Sequence, residues 1–262
     1  EPIRRNDFSW NVDFNITYNK NTIKNLTVIP GDKNYPGFQS GTIAGGIGGQ
    51  FVFINAIGGP KSTFNLYKQV YDSIGRPLEG VFVDQNEDGI INQNDLFKSK
   101  QADPKVFFGF STSANYKKWN AGFVIRASFD NYVYNNNFSQ TGTLAQLTGN
   151  SVLYNASSNY LETRFAGNSQ QLLSDYYIQN GSFLKMDNLN IGYNVGRVFS
   201  NANLQVSATI QNVFVITNYK GLDPEIGPGG ISTTNPNPTN QGIDNNIYPR
   251  PRTFSLGLNL SF

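Results

Sequence analysis

The segment of the sequence with the clearest chemical character is an acidic loop, residues 84–95, whose oxygen-bearing side chains have the spacing of EF-hand calcium loops. A hard divalent cation needs several clustered oxygens, because one carboxylate cannot replace its hydration shell. Gly89 stands at the sixth position, where such loops turn sharply. The spacing predicts a Ca²⁺ site of weak affinity, on the order of 10⁻⁴–10⁻³ M. The predicted ligands are Asp84, Asn86, Asp88, Ile90 (through its carbonyl), Asn92 and Asp95.

Two features of this loop depart from the EF-hand pattern. Asp95 occupies the twelfth position, where Glu is usual, and no flanking helices are evident in the sequence. Asp and Asn side chains also accept hydrogen bonds from their own backbone, so a turn that closes without metal is the alternative interpretation.

The rest of the sequence offers little for catalysis or redox chemistry. The chain has no Cys and no His, which excludes disulfides, thiolate metal sites and the commonest general base. Residues 45–49 are glycine-rich but lack the Lys-Ser/Thr pair of a phosphate-binding loop. The formal net charge of +2 gives no reason to expect nucleic-acid binding. We therefore predict no enzyme and no bound organic cofactor.

Regular alternation of apolar and polar residues dominates the remaining sequence. Residues 8–18 are apolar or aromatic at every even position and polar at every odd one. A strand of this length, tilted by about 45°, covers roughly 25 Å, the height of the lipid band of a membrane barrel. The same pattern predicts six long strands, over residues 8–18, 106–116, 119–133, 182–195, 204–216 and 254–262.

Composition suits long β-strands joined by polar loops. Charged residues make up only 15% of the chain, against roughly 25% in an average soluble domain, and aromatics reach 14%. We predict an all-β chain, an antiparallel segment of a transmembrane barrel. Because about eight strands is the practical minimum for closure, the remaining strands must come from the same or another chain.

The connections between these strands alternate in length. Residues 117–118 and 196–203 are short links, whereas residues 20–105, 134–181 and 217–252 are long and rich in Gly, Asn and Pro. Short periplasmic turns and long extracellular loops are typical of outer-membrane barrels. The C-terminus is then expected in the periplasm. Aromatic residues near the strand ends predict two interfacial girdles: Trp10, Tyr18, Tyr116, Trp119, Tyr132, Tyr134, Tyr193 and Phe262.

Several ordered segments resemble the SusC-like (SusC/RagA) TonB-dependent outer-membrane transporters of Gram-negative bacteria. They are Phe108-Gly109-Phe110-Ser111, the run 181–193, Gln211-Asn212-Val213-Phe214, residues 219–225 and the tail 248–262. Lys185 stands where Arg is commoner in the family. The resemblance covers nearly the whole chain from about residue 50 onward and identifies residues 1–262 as the C-terminal portion of such a barrel.

The resemblance implies a 22-stranded plugged barrel that imports oligosaccharides or peptides. The implied partners are the remaining strands and plug, a SusD-like surface lipoprotein acting as a lid, TonB acting through the plug, and the lipid bilayer. Two alternatives stay open at this point. One is a siderophore or cobalamin receptor of the same barrel class. The other is a soluble, calcium-binding adhesive or glycan-binding β-domain, since the strands of soluble sandwiches also alternate.

Three further sets of residues are candidates for function. The aromatic Phe262 resembles the signal that the barrel-assembly machinery reads, and it would also suit the lower girdle. Polar residues of the strands, Arg126 and Asp130 among them, are expected to face the lumen. Tyrosines of the long loops could stack on sugar rings or contact the lid, although holding the loops together is the simpler role. They are Tyr154, Tyr160, Tyr176, Tyr177 and Tyr248.

Overall fold

The computed structural model describes residues 3–29, 32, 35–43, 50–149, 155–199, 201–226 and 241–262. Three short helices lie in the second half of the chain: α1 (Asn136–Thr141), α2 (Leu144–Thr148) and α3 (Tyr160–Thr163). Single 3₁₀ turns occur at Gln93–Asp95, Ser169–Leu173 and Asp175–Tyr177. In this part of the chain, no helix has the length and apolar composition needed to span a bilayer.

The described residues are otherwise mostly strands. In chain order these are β1 (Ile3–Arg5), β2 (Phe8–Tyr18), β3 (Phe38–Thr42), β4 (Phe51–Asn55), β5 (Thr63–Leu66), β6 (Gln69–Tyr71), β7 (Pro77–Phe82), β8 (Phe97–Gln101), β9 (Val106–Tyr116), β10 (Trp119–Phe129), β11 (Tyr132–Asn135), β12 (Ile178–Asn180), β13 (Phe183–Phe199), β14 (Ala202–Thr217), β15 (Ile243–Asp244) and β16 (Thr253–Ser261).

Seven strands form one antiparallel sheet, which we call the wall, in the order β1-β2-β9-β10-β13-β14-β16. The strands pair in register, so that apolar residues lie beside apolar residues of the next strand and polar residues beside polar ones. One apolar row runs from Phe14 through Phe110 to Ile125 and on to Met186. The neighbouring polar row contains Asn15, Gly109, Arg126 and Lys185. The register thus separates the wall into one apolar and one polar face.

The wall confirms the antiparallel strands predicted from alternation, with corrections at some boundaries. The predicted link at 196–203 is wrong, because β13 continues to Phe199 and β14 already begins at Ala202. Gly196 has φ +95° and the pairing register shifts beside it, so the strand continues where its sequence alternation breaks. The short strand β1 was not predicted.

The predicted strand over 119–133 is also too long. β10 ends at Phe129 because Asp130 adopts a left-handed backbone conformation, with φ +59°. The chain turns there, and Tyr132–Asn135 leaves the wall to pair with β12 and β15. The alternation breaks at the same point, since Asp130 and Asn131 are both polar and Tyr132 and Val133 are both apolar.

The apolar face of the wall is open to its surroundings. Leu256, Leu258 and Phe14 are 88%, 76% and 72% exposed. A soluble monomer seldom exposes a contiguous apolar patch beyond a few hundred Å². One polar group on this face, the Thr112 hydroxyl, accepts a hydrogen bond from Trp10 Nε1 at 2.7 Å and donates to the Asn11 carbonyl at 2.9 Å. The face is therefore suited to hydrocarbon.

The main hydrophobic core lies outside the wall, in a unit we call the lobe: β3–β8, β11, β12, β15 and the three helices. All three long connections at one end of the wall contribute to it. The Phe53 and Phe64 rings pack 4.8 Å apart at its centre. The buried core residues are Ile43, Val52, Phe53, Phe64, Leu66, Ala102, Tyr134, Phe138, Phe165, Tyr177 and Ile243.

This division predicts that the stability of the lobe can be changed separately from that of the wall. Phe53→Ala removes a fully buried ring and should destabilise the lobe by about 3–5 kcal/mol. Limited proteolysis of the protein in lipid should then show faster cleavage within residues 50–104, while the wall stays resistant. Phe14→Ala, on the exposed apolar face, is the matched control and should leave lobe cleavage unchanged. Equal cleavage rates in the two variants would contradict a separate lobe core.

Candidate site on the polar face of the wall

A β-bulge in β13 determines which charged side chains reach the polar face. Met186 pairs with Ile125 and Asn188 with Val124, so Asp187 is an extra residue between them. Strict alternation from Leu189 would turn Lys185 towards the apolar face. The bulge shifts the alternation of side chains by one residue, and Lys185 instead lies beside Arg126 on the polar face. It therefore removes an ammonium group from the lipid side.

The bulge helps to assemble a group that we call the charge cluster: Arg126, Lys185, Asp187, Asp223 and Glu225. Arg126 donates through Nε to Asp187 and binds Glu225 with both terminal nitrogens, at 2.6 and 2.8 Å. Lys185 Nζ lies 2.7 Å from Asp223 Oδ1 and 3.1 Å from Glu225 Oε2. Charge-assisted and bidentate bonds of this kind are the strongest side-chain hydrogen bonds.

An aromatic ring supports the two cations of the cluster. The Phe183 ring is buried, with Lys185 Nζ 5.1 Å and Arg126 Cζ 5.9 Å from its centre. Arg250 adds a third cation, 3.3 Å from Glu225 Oε2. Three cations therefore face three carboxylates, and their charges balance.

The cluster fastens the segment 222–226, which follows β14, to the wall. Burial alone would raise the pKa of Glu225, but the hydrogen bonds from Arg126 and Lys185 outweigh it and lower the pKa to about 2. Glu225 is thus a carboxylate at any physiological pH. The fastened segment covers a cavity of about 480 Å³ whose other side is the wall, including Asn15, Phe107 and Arg126.

The structure separates the loop tyrosines into different environments. Tyr177 is 1% exposed and belongs to the lobe core, which favours the simpler role of holding the loops together. Tyr176 packs against it with ring centroids 5.1 Å apart, and burial raises its pKa to about 12. Tyr160 begins α3, and Tyr248 is 86% exposed. Tyr154 lies outside the described residues.

The predicted aromatic girdles need a similar correction. Tyr134 is fully buried in the lobe core, and Tyr132 packs against that core, so neither belongs to a girdle. At the short-turn end of the wall, Trp119 and Tyr193 lie 4.6 Å apart between ring centroids. Phe262 follows β16 and is exposed, and its role in assembly stays a prediction.

The acidic loop closes on its own backbone. The two carboxylate oxygens of Asp84 accept N–H groups of Glu87 and Gly89, at 2.8 and 2.7 Å. Asp95 accepts from Gln85 and Asn92, both at 2.8 Å, and these backbone donors lower its pKa. Among the described residues, no group of three or more His, Cys, Asp or Glu side chains is arranged to hold a metal ion. Calcium binding by this loop stays a prediction.

Sequence reasoning placed Arg126 on the polar face but missed its partners. Lys185 and Asp187 fall where the alternation of β13 is least regular, and this irregularity marks the bulge. Asp223 and Glu225 lie in a predicted loop, so nothing in the strand pattern connects them to Arg126. The available signal was the charged side chain of Lys185, at a position where strict alternation from Leu189 predicts an apolar residue.

Two curated proteins that are similar to this chain are both TonB-dependent receptors. The TonB-dependent receptor SusC of Bacteroides thetaiotaomicron is 35% identical over 269 aligned residues, which cover 100% of this chain and 25% of SusC. TonB-dependent receptor P3 of Formosa agariphila is 26% identical, covering 99% of this chain and 27% of the relative. No protein-family model matches the chain.

Solved structures agree on the fold. The structure of the RagAB peptide transporter superposes with a TM-score of 0.67 at 19% identity, covering 99% of this chain and 28% of that one. The RagAB importer in its closed-closed state gives 0.65 at 20% identity. The chain spans about a quarter of the length of the curated relatives it matches.

The two-faced wall and these similarities define the class: a segment of a transmembrane β-barrel of an outer-membrane receptor. Within that class, the chain belongs to the SusC-like TonB-dependent receptors. Its relatives are transport receptors and not enzymes.

The charge cluster predicts a pH-dependent attachment of segment 222–226. Because the pKa of Glu225 is lowered from 4.5 to about 2, its stabilising effect is complete above about pH 4.5 and is lost as the pH falls towards 2. The chain has no Cys, so a spin label on Leu222→Cys occupies a unique position in it. The label should be immobile from pH 7 to 5 and should gain mobility below pH 4.5.

Glu225→Gln should raise the mobility of the label already at pH 7 and reduce its response to acid. Glu162→Gln is the matched control, because its contact with Lys220, at 3.7 Å, is exposed and contributes little. A label that is equally immobile in the Glu225 variant at pH 7 would show that the cluster does not hold this segment.

Calcium binding by the acidic loop can be tested by limited proteolysis. If Ca²⁺ occupies the loop, cleavage within residues 84–95 should slow several-fold on adding millimolar Ca²⁺ and recover with a chelator. Asp88→Asn should abolish that difference. Cleavage that does not respond to Ca²⁺ would mean that the loop is held only by its Asx turns.

Proposed function

We propose that this chain forms wall strands and loops of a TonB-dependent importer that carries oligosaccharides or peptides across the outer membrane. The observation that carries the proposal is the relationship to SusC, which covers 100% of this chain and 25% of SusC, in a chain whose wall has an exposed apolar face and a polar one. The RagAB structures are described as a peptide transporter, which supports peptides as one of the two cargo classes.

The proposed orientation follows from the ends of the wall. The lobe lies at the end where the long connections meet, and tight turns such as Lys117-Lys118 close the other end. In membrane barrels long loops are extracellular and short turns periplasmic. The lobe would then face the exterior, and Phe262 would lie in the periplasm. This orientation suits residues 1–262 as the C-terminal portion of the barrel.

The proposed partners follow from the same arrangement. The outer strands of the wall, β1–β2 and β16, would pair with the remaining strands of the barrel, because unpaired backbone groups are costly in lipid. A plug would occupy the lumen, contact TonB and face the charge cluster. A SusD-like lipoprotein would cover the lobe. In this arrangement cargo binding and energy coupling need residues beyond this chain.

The test is extraction of the chain from native outer membranes in mild detergent, followed by mass spectrometry of what co-purifies. We expect plug-bearing receptor sequence and a surface lipoprotein, and the presence of bound glycan or peptide would indicate the cargo. Recovery with a siderophore or cobalamin, and without a lipoprotein, would favour the other receptor type. Recovery alone in the aqueous fraction would overturn the proposal in favour of a soluble β-domain.

A further inference from the structure

The short-turn end of the wall has an excess of positive charge. Asp7 is the one acidic side chain that the described residues place there, against five basic ones: Arg4, Arg5, Lys117, Lys118 and Arg197. The last four have no carboxylate within ion-pair distance in the described part of the chain. Seven cations nearer the lobe do have such a partner: Lys61, Arg76, Lys105, Arg126, Lys185, Lys220 and Arg250. Unpaired cations beside an apolar surface suit an anionic partner.

Two of these cations lie at the edge of the apolar face. Arg5 pairs with Phe8, and Phe8 pairs with Tyr116, so the three side chains share one face of the sheet. The Phe8 and Tyr116 rings pack edge to face, with centroids 6.5 Å apart. Lys117 Nζ lies over the same Tyr116 ring, 5.4 Å from its centre. A guanidinium and an ammonium group therefore flank a pair of aromatic rings that faces lipid.

An open hollow of about 780 Å³ lies at this place, with Arg5 as the one basic residue that lines it. Its volume is within the roughly 300–1,000 Å³ typical of ligand pockets. The lining is apolar on one side and polar on the other: Ile3, Phe8 and Tyr116, then Arg5, Asn6 and Asp7. A ligand with a charged head and an apolar tail matches this division.

The turn that carries Lys117 has an unusual conformation for a lysine. Its φ is +52°, in the left-handed region that Gly and Asn adopt more readily. The turn is fixed to both neighbouring strands, because the Lys117 N–H donates to the Asp7 carbonyl at 2.9 Å and the Asn194 N–H donates to the Lys118 carbonyl at 2.8 Å. A lysine kept in such a position indicates a role for its ammonium group and not for the turn.

We propose that Arg5 and Lys117 bind the phosphate of an anionic phospholipid whose acyl chains lie along the apolar face of the wall. Guanidinium and ammonium groups both donate charge-assisted hydrogen bonds to phosphate oxygens. Arg5, Lys117 and Asp7 together carry one net positive charge, which a phospholipid with one net negative charge balances. The inference goes beyond the proposed function. Only the assignment of this lipid to the periplasmic leaflet rests on the orientation given there.

The test is photo-crosslinking of the complete receptor in vesicles of phosphatidylethanolamine. Two probes are compared, phosphatidylglycerol and phosphatidylethanolamine, each with a diazirine near the carbonyl end of one acyl chain. Mass spectrometry identifies the labelled peptides. We expect the phosphatidylglycerol probe to label residues 3–12 and 108–116 about fivefold more strongly than the other probe, the effect of one net charge next to an anionic lipid.

The variant Arg5→Gln with Lys117→Asn should label equally with both probes. Asn suits the left-handed turn, so the thermal stability of the barrel should not fall through the change at Lys117. Lys98→Gln with Lys100→Gln is the matched control. It also removes two exposed cations, one of them 5.0 Å from the centre of the Tyr132 ring, but they lie in the lobe. The control should keep the fivefold preference.

The proposal is overturned by equal labelling of these peptides by the two probes in the wild type, or by a preference that persists in the Arg5 and Lys117 variant. Displacement of the probe by millimolar inorganic phosphate would also overturn it, because the site would then bind phosphate without a lipid. The readout depends on neither cargo nor leaflet. A failure here therefore leaves the proposed importer function untouched, and a failure of that function leaves the lipid site untouched.

Discussion

The rest of the structure depends on one constraint, the pairing of backbone polar groups within a sheet that contacts hydrocarbon. Lipid offers no partner to an N–H or a carbonyl, so each wall strand must bond to its neighbours along its length. Antiparallel pairing in register then assigns alternate side chains to opposite faces. Phe14, Phe110 and Ile125 form a continuous apolar row for this reason. Every departure from alternation must keep the backbone hydrogen bonds between neighbouring strands.

The bulge at Asp187 is such a departure, and it links the wall to the loop that follows β14. The bulge changes which residues of β13 face each side of the sheet. It brings Lys185 beside Arg126, where both cations bind the carboxylates of segment 222–226. Removing one partner of such a cluster leaves another charge unpaired in a half-buried place, which is more costly than the net contribution of the intact pair. We therefore regard the cluster as the physical connection between a membrane-facing sheet and the polar structure around it.

The lobe is stabilised in a different way from the wall. The wall has no apolar interior of its own, since its apolar side chains face outward. The long connections join wall strands at one end of the wall, and they fold because they bury aromatic residues against one another, Phe53 and Phe64 among them. A connection stabilised by its own core can hold a fixed shape. The wall provides the position of the lobe, and the lobe core provides its rigidity.

The sequence by itself determined the six long strands of the wall and its two faces, apart from some strand ends, because the alternation of apolar and polar residues is a local property imposed by lipid on one face and water on the other. It also identified the family and placed Arg126 on the polar face. Only the tertiary structure decided the partners of Arg126, since Lys185, Asp187 and Glu225 meet it through a bulge and a loop far apart in sequence. The structure likewise places Tyr134 and Tyr177 in the lobe core, although the sequence had placed them in an interfacial girdle and in a long loop. An exposed and a buried aromatic look alike in a loop sequence, because their burial depends on non-local packing that no periodicity records.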